Sequence, residues 1–356
     1  MSGFAGLELA PIAPIDGVVY EQARARHAQL TKPPGSLGRL EDLGCRLAAI
    51  QGHVPPRVDR MRALVFAADH GITAAERVSP YPREVTAQMV ANFVGGGAAV
   101  NALCATVGAE LRVFDVGVAT PIPVPEDAPG LVRRPVAAGT RNIVEAPAMT
   151  ADELVAAMRV GAAAVDEAAA DEVDVVALGE MGIGNTTIAA AVTAALLGLP
   201  AAEVVGPGTG ADPTMVGRKA ALVEAALVRH TVDRTAPLEL LRRLGGFELA
   251  AIAGATLRAA ARRIAVVADG FITTAAVAVA VAEAPAARDY VFAGHGSAEP
   301  GHRHLLARLD LLPCLDLQMR LGEASGAVLA LPLLRAAAAV LRDMATFADA
   351  GVSGRA

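Results

Sequence analysis

Tryptophan is absent from this chain, and cysteine occurs only three times in 356 residues. With no tryptophan, no basic stripe, and 31 basic side chains against 37 acidic ones, a nucleic-acid-binding surface is excluded. Cys45, Cys104 and Cys314 are odd in number, far apart and lack metal-ligand spacing. They read as small buried hydrophobes in a reducing cytosol, with no disulfide framework or zinc site. The opening MSGFAGLELAPIAPIDG has no basic segment before an apolar one, so no secretory leader is expected and the chain reads as cytoplasmic. A mean hydropathy of +0.44 would suit a membrane protein. Much of it comes from alanine and glycine, however, and the longest apolar stretches are broken. Asp269 follows Ile264–Ala268, and Arg335 sits within Ala327–Leu341. No membrane span is expected.

Several catalytic signatures are missing too. The glycine-rich loops carry no Lys-Ser/Thr pair, no G-x-G-x-x-G and no nucleophile elbow, which sets aside a Walker NTPase and a dinucleotide dehydrogenase. Four of the seven histidines lie in DHGI, GHGS and GHRH without an H-x-x-x-H pair or a nearby cysteine cluster, so no metal site is predicted.

What is present is a recurring unit: a short β-branched run, a glycine turn bearing a polar residue, then a helical stretch. The runs are Arg62–Asp69, Leu111–Val116, Val173–Leu178, Ile264–Ala268, Tyr290–Ala293 and Cys314–Leu317. They are almost continuously apolar, as in parallel strands covered on both faces. Helices are predicted over Glu84–Leu103, Ala151–Ala170, Thr186–Leu197, Pro213–Arg229, Phe247–Arg262, Ile272–Ala282 and Ala327–Ala345. The pattern predicts an α/β fold: a Rossmann-like parallel sheet flanked by helices. Residues 1–59 lack a strand and are expected to form a smaller helical region, with the C-terminal helix a candidate to join it. Residues 60–356 would be the α/β domain. Ligands of such sheets bind at the carboxyl ends of the strands. Those ends here carry Asp69, Glu180, Asp269, His295 and Glu323.

GEMGIGNTT (Gly179–Thr187) follows a strand and opens a helix, where backbone N–H groups and the helix dipole could hold an anion. GPGTGADPTMVGRK (Gly206–Lys219) could form a second cradle, with Lys219 in the following helix and Asp212 or Thr214 as its cap. Each loop could equally be a tight turn without a ligand. RLGEASGA places Glu323 in a glycine-flanked turn, either as a partly desolvated general base or as an ordinary acid at a helix start. Ser79 and Tyr81 precede a helix containing Gln88; together they could hold a planar heteroaromatic, or form a plain proline-fixed helix entry.

Taken together, the chain resembles the nicotinate-nucleotide–dimethylbenzimidazole phosphoribosyltransferase family. The matching segments include TKPPGSLGRLE (Thr31–Glu41), FAADHGI (Phe66–Ile72), VSPYPREVTAQMVANFVGGGAAVN (Val78–Asn101) and ALGEMGIGNTT (Ala177–Thr187). They continue with GPGTG and Lys219, GGFELAAIAGA (Gly245–Ala255), VADGFITTAA (Val267–Ala276), AGHGSAEPGH (Ala293–His302) and RLGEASGA. Pro207, the stretch Ala211–Pro213 and Ala324 depart from the family's pattern. The resemblance implies a homodimer with nicotinate mononucleotide and 5,6-dimethylbenzimidazole as small-molecule substrates, and no cofactor. It implies Glu323 as general base and Ser79, Tyr81, Gln88 and Met181 around the benzimidazole. It implies Glu180, Gly182, Gly184, Asn185, Gly208, Thr209, Gly210, Lys219, Asp269, Ser297 and Arg320 around the mononucleotide. Glu180 would also stabilise positive charge on the ribose. The competing expectations are another acceptor base, such as adenine, a phenol or a different benzimidazole, and a nucleotide-binding protein without catalysis.

Overall fold

The computed structural model describes residues 9–231 and 233–353. Its centre is one six-stranded sheet: β1 (Met61–Ala68), β2 (Glu110–Gly117), β3 (Leu131–Arg133), β4 (Val175–Met181), β5 (Ala265–Ala268) and β6 (Val291–Ala293). Every pairing is parallel, in the order β3-β2-β1-β4-β5-β6. All eight residues of β1 are buried, as in a central strand covered on both faces, and its one charged residue, Arg62, pairs with Glu110 and Asp171. The order reverses between β1 and β4, so the loops after these strands diverge to opposite faces and leave a crevice at their carboxyl ends.

Helices cover both faces. Thr150 and Glu153 form a reciprocal capping box that starts the helix Ala151–Ala170. It lies directly on Phe247–Ala261, where small residues let the backbones touch. A Cβ on Gly161 would stand 1.7 Å from Ala251 O, and one on Gly254 would stand 2.1 Å from Met158 O.

Four details differ from the sequence expectations. The stretch predicted as one helix over Glu84–Leu103 is two, Val85–Val94 and Ala99–Val107, parted at Gly95–Gly97 because three glycines in a row favour no helix. β3 lies within the proline-rich stretch Pro121–Pro135, which reads as a connection because the strand's three residues show no apolar run. Cys314–Leu317 makes only an isolated parallel bridge, Leu315 to His295. Finally, Val85–Val107 and Ser325–Asp343 do reach the length and hydropathy of a spanning helix. The first is interrupted by those glycines, and the second buries Val328, Leu331, Leu334 and Leu341 against the protein's own interior.

The N-terminal helices Gly17–Gln29 and Arg39–Gln51 pack on each other and on Ser325–Asp343. Val19, Ala23, Cys45, Ala48 and Leu341 form a small apolar cluster between them. Arg39–Gln51 also sends Leu43, Leu47 and Ile50 into the main core.

Candidate active site

Four strand ends converge on the crevice. Asp69 follows β1, Glu180 lies within β4, Asp269 follows β5 and His295 follows β6; all four are buried. Glu180 takes a hydrogen bond from the Asn185 amide, whose residue opens the helix Asn185–Leu197. The turn between them passes through Gly184 at φ +87°, in the left-handed region that glycine tolerates. Opposite stands a second turn, with Gly322, Glu323 and Ala324 at φ +87°, +62° and +64°. Two consecutive non-glycine residues there store strain of order 1–3 kcal/mol each. The turn is held from both sides. Glu323 N donates to Glu180 O at 3.2 Å, and Asp269 Oδ1 accepts from Gly326 N at 2.7 Å and Ala327 N at 3.1 Å.

Between the turns lies a cleft of about 750 Å³, counting its open mouth. One wall is apolar or weakly polar: Val78, Ser79, Pro80, Met181 and Ile183. The other end carries Thr186, Thr209, Lys219, Ser297, Glu299 and Arg320. Asp212 caps the helix Pro213–His230 through Met215 N at 2.8 Å, and this helix carries Lys219 inward. Lys219 Nζ donates to Thr186 Oγ1 at 3.1 Å and to Gly206 O at 2.8 Å.

Of the residues expected from sequence, Ser79, Glu180, Met181, Gly182, Gly184, Asn185, Thr209, Lys219, Ser297 and Arg320 line this cleft. Asp269 and Glu323 are buried and not among its lining residues, but each adjoins one, Gly270 and Gly322. Gly208 has both backbone groups occupied, its N–H by Glu299 at 2.8 Å and its carbonyl by Arg320 at 3.2 Å. Gly210 is exposed. Tyr81 is also exposed and lines an adjoining groove that shares Val78, Ser79 and Pro80 with the cleft. Gln88 faces away, because Val85–Val94 buries Thr86, Ala87 and Val90 on its other side. From that helix Thr86 touches the site instead, its hydroxyl accepting from Ile183 N at 3.1 Å.

Sequence reasoning missed Thr86, Thr186 and Glu299. The first falls on the buried stripe of a helix, where a threonine looks like filler. The last precedes Pro300 at a helix start and looks like a cap. His70 and Glu248 were missed as a pair as well; Nε2 and Oε1 lie 3.0 Å apart with both side chains fully buried. Nothing in a sequence shows that residues 178 positions apart meet.

The electrostatics divide the cleft. Burial raises the Glu180 carboxyl well above its usual range, and Asp269, Glu248 and Glu323 add to the shift while Asn185 opposes it. Burial pushes Asp269 up to about 7, against four backbone N–H donors. It also pushes Glu323 up to about 7, with Asp269 contributing. At the other end burial lowers Lys219, and Glu299 works against that fall. A carboxylate near pKa 7 can accept a proton at neutral pH, and a buried lysine beside a helix N-terminus suits a phosphate.

A doubly wound parallel sheet with buried, raised carboxyls beside a switch-point cleft and a buried lysine lining it is the frame of an α/β enzyme. A family model described as phosphoribosyltransferase matches residues 12–352. A nicotinate-nucleotide–dimethylbenzimidazole phosphoribosyltransferase of Chloroflexus aggregans is 51% identical over 342 residues, 96% of each chain. A protein of the same name from Pseudomonas fluorescens is 49% identical over 98% of each. The crystal structure of such an enzyme from Thermus thermophilus matches with a TM-score of 0.89 at 50% identity, covering 96% of this chain and all of the other. The chain belongs to the nicotinate-nucleotide–dimethylbenzimidazole phosphoribosyltransferase family.

Proposed function

We propose that this protein transfers the 5-phosphoribosyl group of nicotinate mononucleotide to 5,6-dimethylbenzimidazole, giving α-ribazole 5′-phosphate and nicotinate for the nucleotide loop of cobalamin. The observation that best supports this reading is the division of one cleft into a carboxylate end and a Lys219 end. The donor has the matching polarity: a cationic pyridinium on the anomeric carbon and a phosphate on the far side of the ribose.

In this reading the phosphate lies at Lys219, Arg320, Thr209 and the Gly182–Asn185 turn. The acceptor ring lies against Ser79, Pro80 and Met181. One nitrogen of the benzimidazole attacks the anomeric carbon as the bond to nicotinate breaks, and the electron pair stays on the departing ring nitrogen. The leaving ring is neutral at that nitrogen and needs no proton. The other acceptor nitrogen must lose one, and Glu323 takes it, which is worth roughly 10²–10⁴-fold. Glu180 faces the positive charge that grows on the ribose. A single displacement inverts the anomeric centre to α. The same reading makes residues 1–59 a helical cover on the α/β domain of residues 60–356, and the enzyme a cytoplasmic homodimer.

The test is incubation with both substrates without added metal, followed by chromatography and mass spectrometry. Equimolar nicotinate and α-ribazole phosphate are expected. Nicotinate release only with a different base, such as adenine or a phenol, would replace the acceptor; no release with any base would sink the reading.

A further inference from the structure

Glu299 lines the lysine end of the cleft but has no part in the chemistry above. It is buried, and it precedes the helix Pro300–Leu309 without capping any of its N–H groups. Its carboxylate turns back instead onto the glycine turn that faces Lys219. Oε1 accepts from Gly208 N at 2.8 Å, while Oε2 has no hydrogen-bond partner among the described residues. The turn is shaped for it: a Cβ on Gly206 would stand 2.4 Å from Oε2. Lys219 Nζ holds the carbonyl of that same Gly206, and a Cβ on Gly208 would stand 3.6 Å from Nζ. A carboxylate at this point repels a phosphate, so its presence calls for a compensating role.

We propose that Glu299 is a positioning residue that keeps Lys219 cationic before the donor arrives and fixes the Gly206–Gly208 turn around it. This rests on the reading of Lys219 as the phosphate ligand. A lysine buried among Thr186, Gly206 and Gly208 loses its proton readily, because burial disfavours the charged form. The charged groups facing the turn are Glu299 and Lys219 themselves and Arg320, which sits on Gly208 O. The nearby imidazoles stay neutral, burial holding His302 down to about 3 and His295 below its usual value. Burial raises the Glu299 carboxyl, Lys219, the Gly208 N–H and Arg320 oppose that rise, and the ionised carboxylate in turn opposes the loss of the Lys219 proton. Once bound, the donor's phosphate supplies that negative charge itself.

The experiment measures kcat/KM for nicotinate mononucleotide from pH 6 to 10 in the parent, Glu299→Gln, Glu299→Asp and Lys219→Met. In Glu299→Gln the alkaline fall is expected to begin roughly one pH unit lower. Its kcat at saturating donor should stay within about threefold of the parent, because bound phosphate then supplies the charge. Glu299→Asp keeps the charge at a longer reach and should move the limb less, in the same direction; it carries the test alone if the Gln variant does not fold. An alkaline limb that superimposes on the parent's overturns the proposal. So does a large loss of kcat at saturating donor with an unmoved limb. Lys219→Met separates the two readings. A raised donor KM there with an unmoved limb in Glu299→Gln withdraws the role of Glu299 alone, whereas an unchanged donor KM withdraws the phosphate assignment and this inference together.

Discussion

Glu323 combines a left-handed backbone, near-complete burial and a neighbouring acid, Asp269. A proton acceptor with a pKa of about 7 works only when deprotonated, so kcat/KM should fall as pH drops below about 7. Glu323→Gln should lose roughly 10²-fold or more in kcat with little change in either KM, as steady-state kinetics would show; undiminished turnover would remove Glu323 as base. Its effect on stability runs the other way. The folded state holds the Glu323 proton up to about pH 7, whereas the unfolded chain releases it near the ordinary value of 4.5. Stability is therefore lost as pH rises through that window, and the Gln variant should be more stable at pH 8 by up to about 3 kcal/mol, and by much less at pH 5. Denaturation at the two pH values checks this, and a variant less stable at pH 8 would contradict it. Glu323 was legible in sequence because glycines flank it on a predicted strand-end turn. Thr86 and Glu299 were not, since their roles depend on partners 97 and 91 residues away.

Among the elements, the long helices were the most readable. Ala151–Ala170 falls where the sequence reading places it, and the apolar runs of β1, β2, β4, β5 and β6 mark strands to within a few residues. β3 escaped because pairing with β2, and not any apolar run of its own, makes it extended, whereas the run Cys314–Leu317 was read as a strand and makes only the Leu315–His295 bridge. The crossing of Ala151–Ala170 over Phe247–Ala261 could not be read either, since an isolated glycine in a helix says nothing of what approaches it. Gly161→Ala should force the two backbones apart and cost about 1–3 kcal/mol or more, with both KM values unchanged. Thermal denaturation alongside kinetics tests this; an unaltered Tm would mean that the crossing relaxes freely.

Over the whole molecule, the reversal between β1 and β4 makes one cleft from segments spread between Val78 and Gly322. The helical region before residue 60 contributes Leu43, Leu47 and Ile50 to the same core. Residues 60–356 expressed alone should therefore be unstable or aggregate, since the surface those side chains cover would be bare. A soluble, cooperative fragment in calorimetry would show that the α/β part is autonomous. By itself the sequence determined the α/β class, the order of most elements, the glycine turns and which strand ends carry acids, because these depend on local periodicity, capping and backbone freedom. Only the tertiary structure decided that Thr86 and not Gln88 meets the Gly182 turn, that Glu299 turns away from its own helix onto Gly208, and that Asp269 stands close enough to Glu180 and Glu323 to raise both. Those outcomes come from burial and proximity between distant segments, which the packed sheet and helices create and no local stretch of chain encodes.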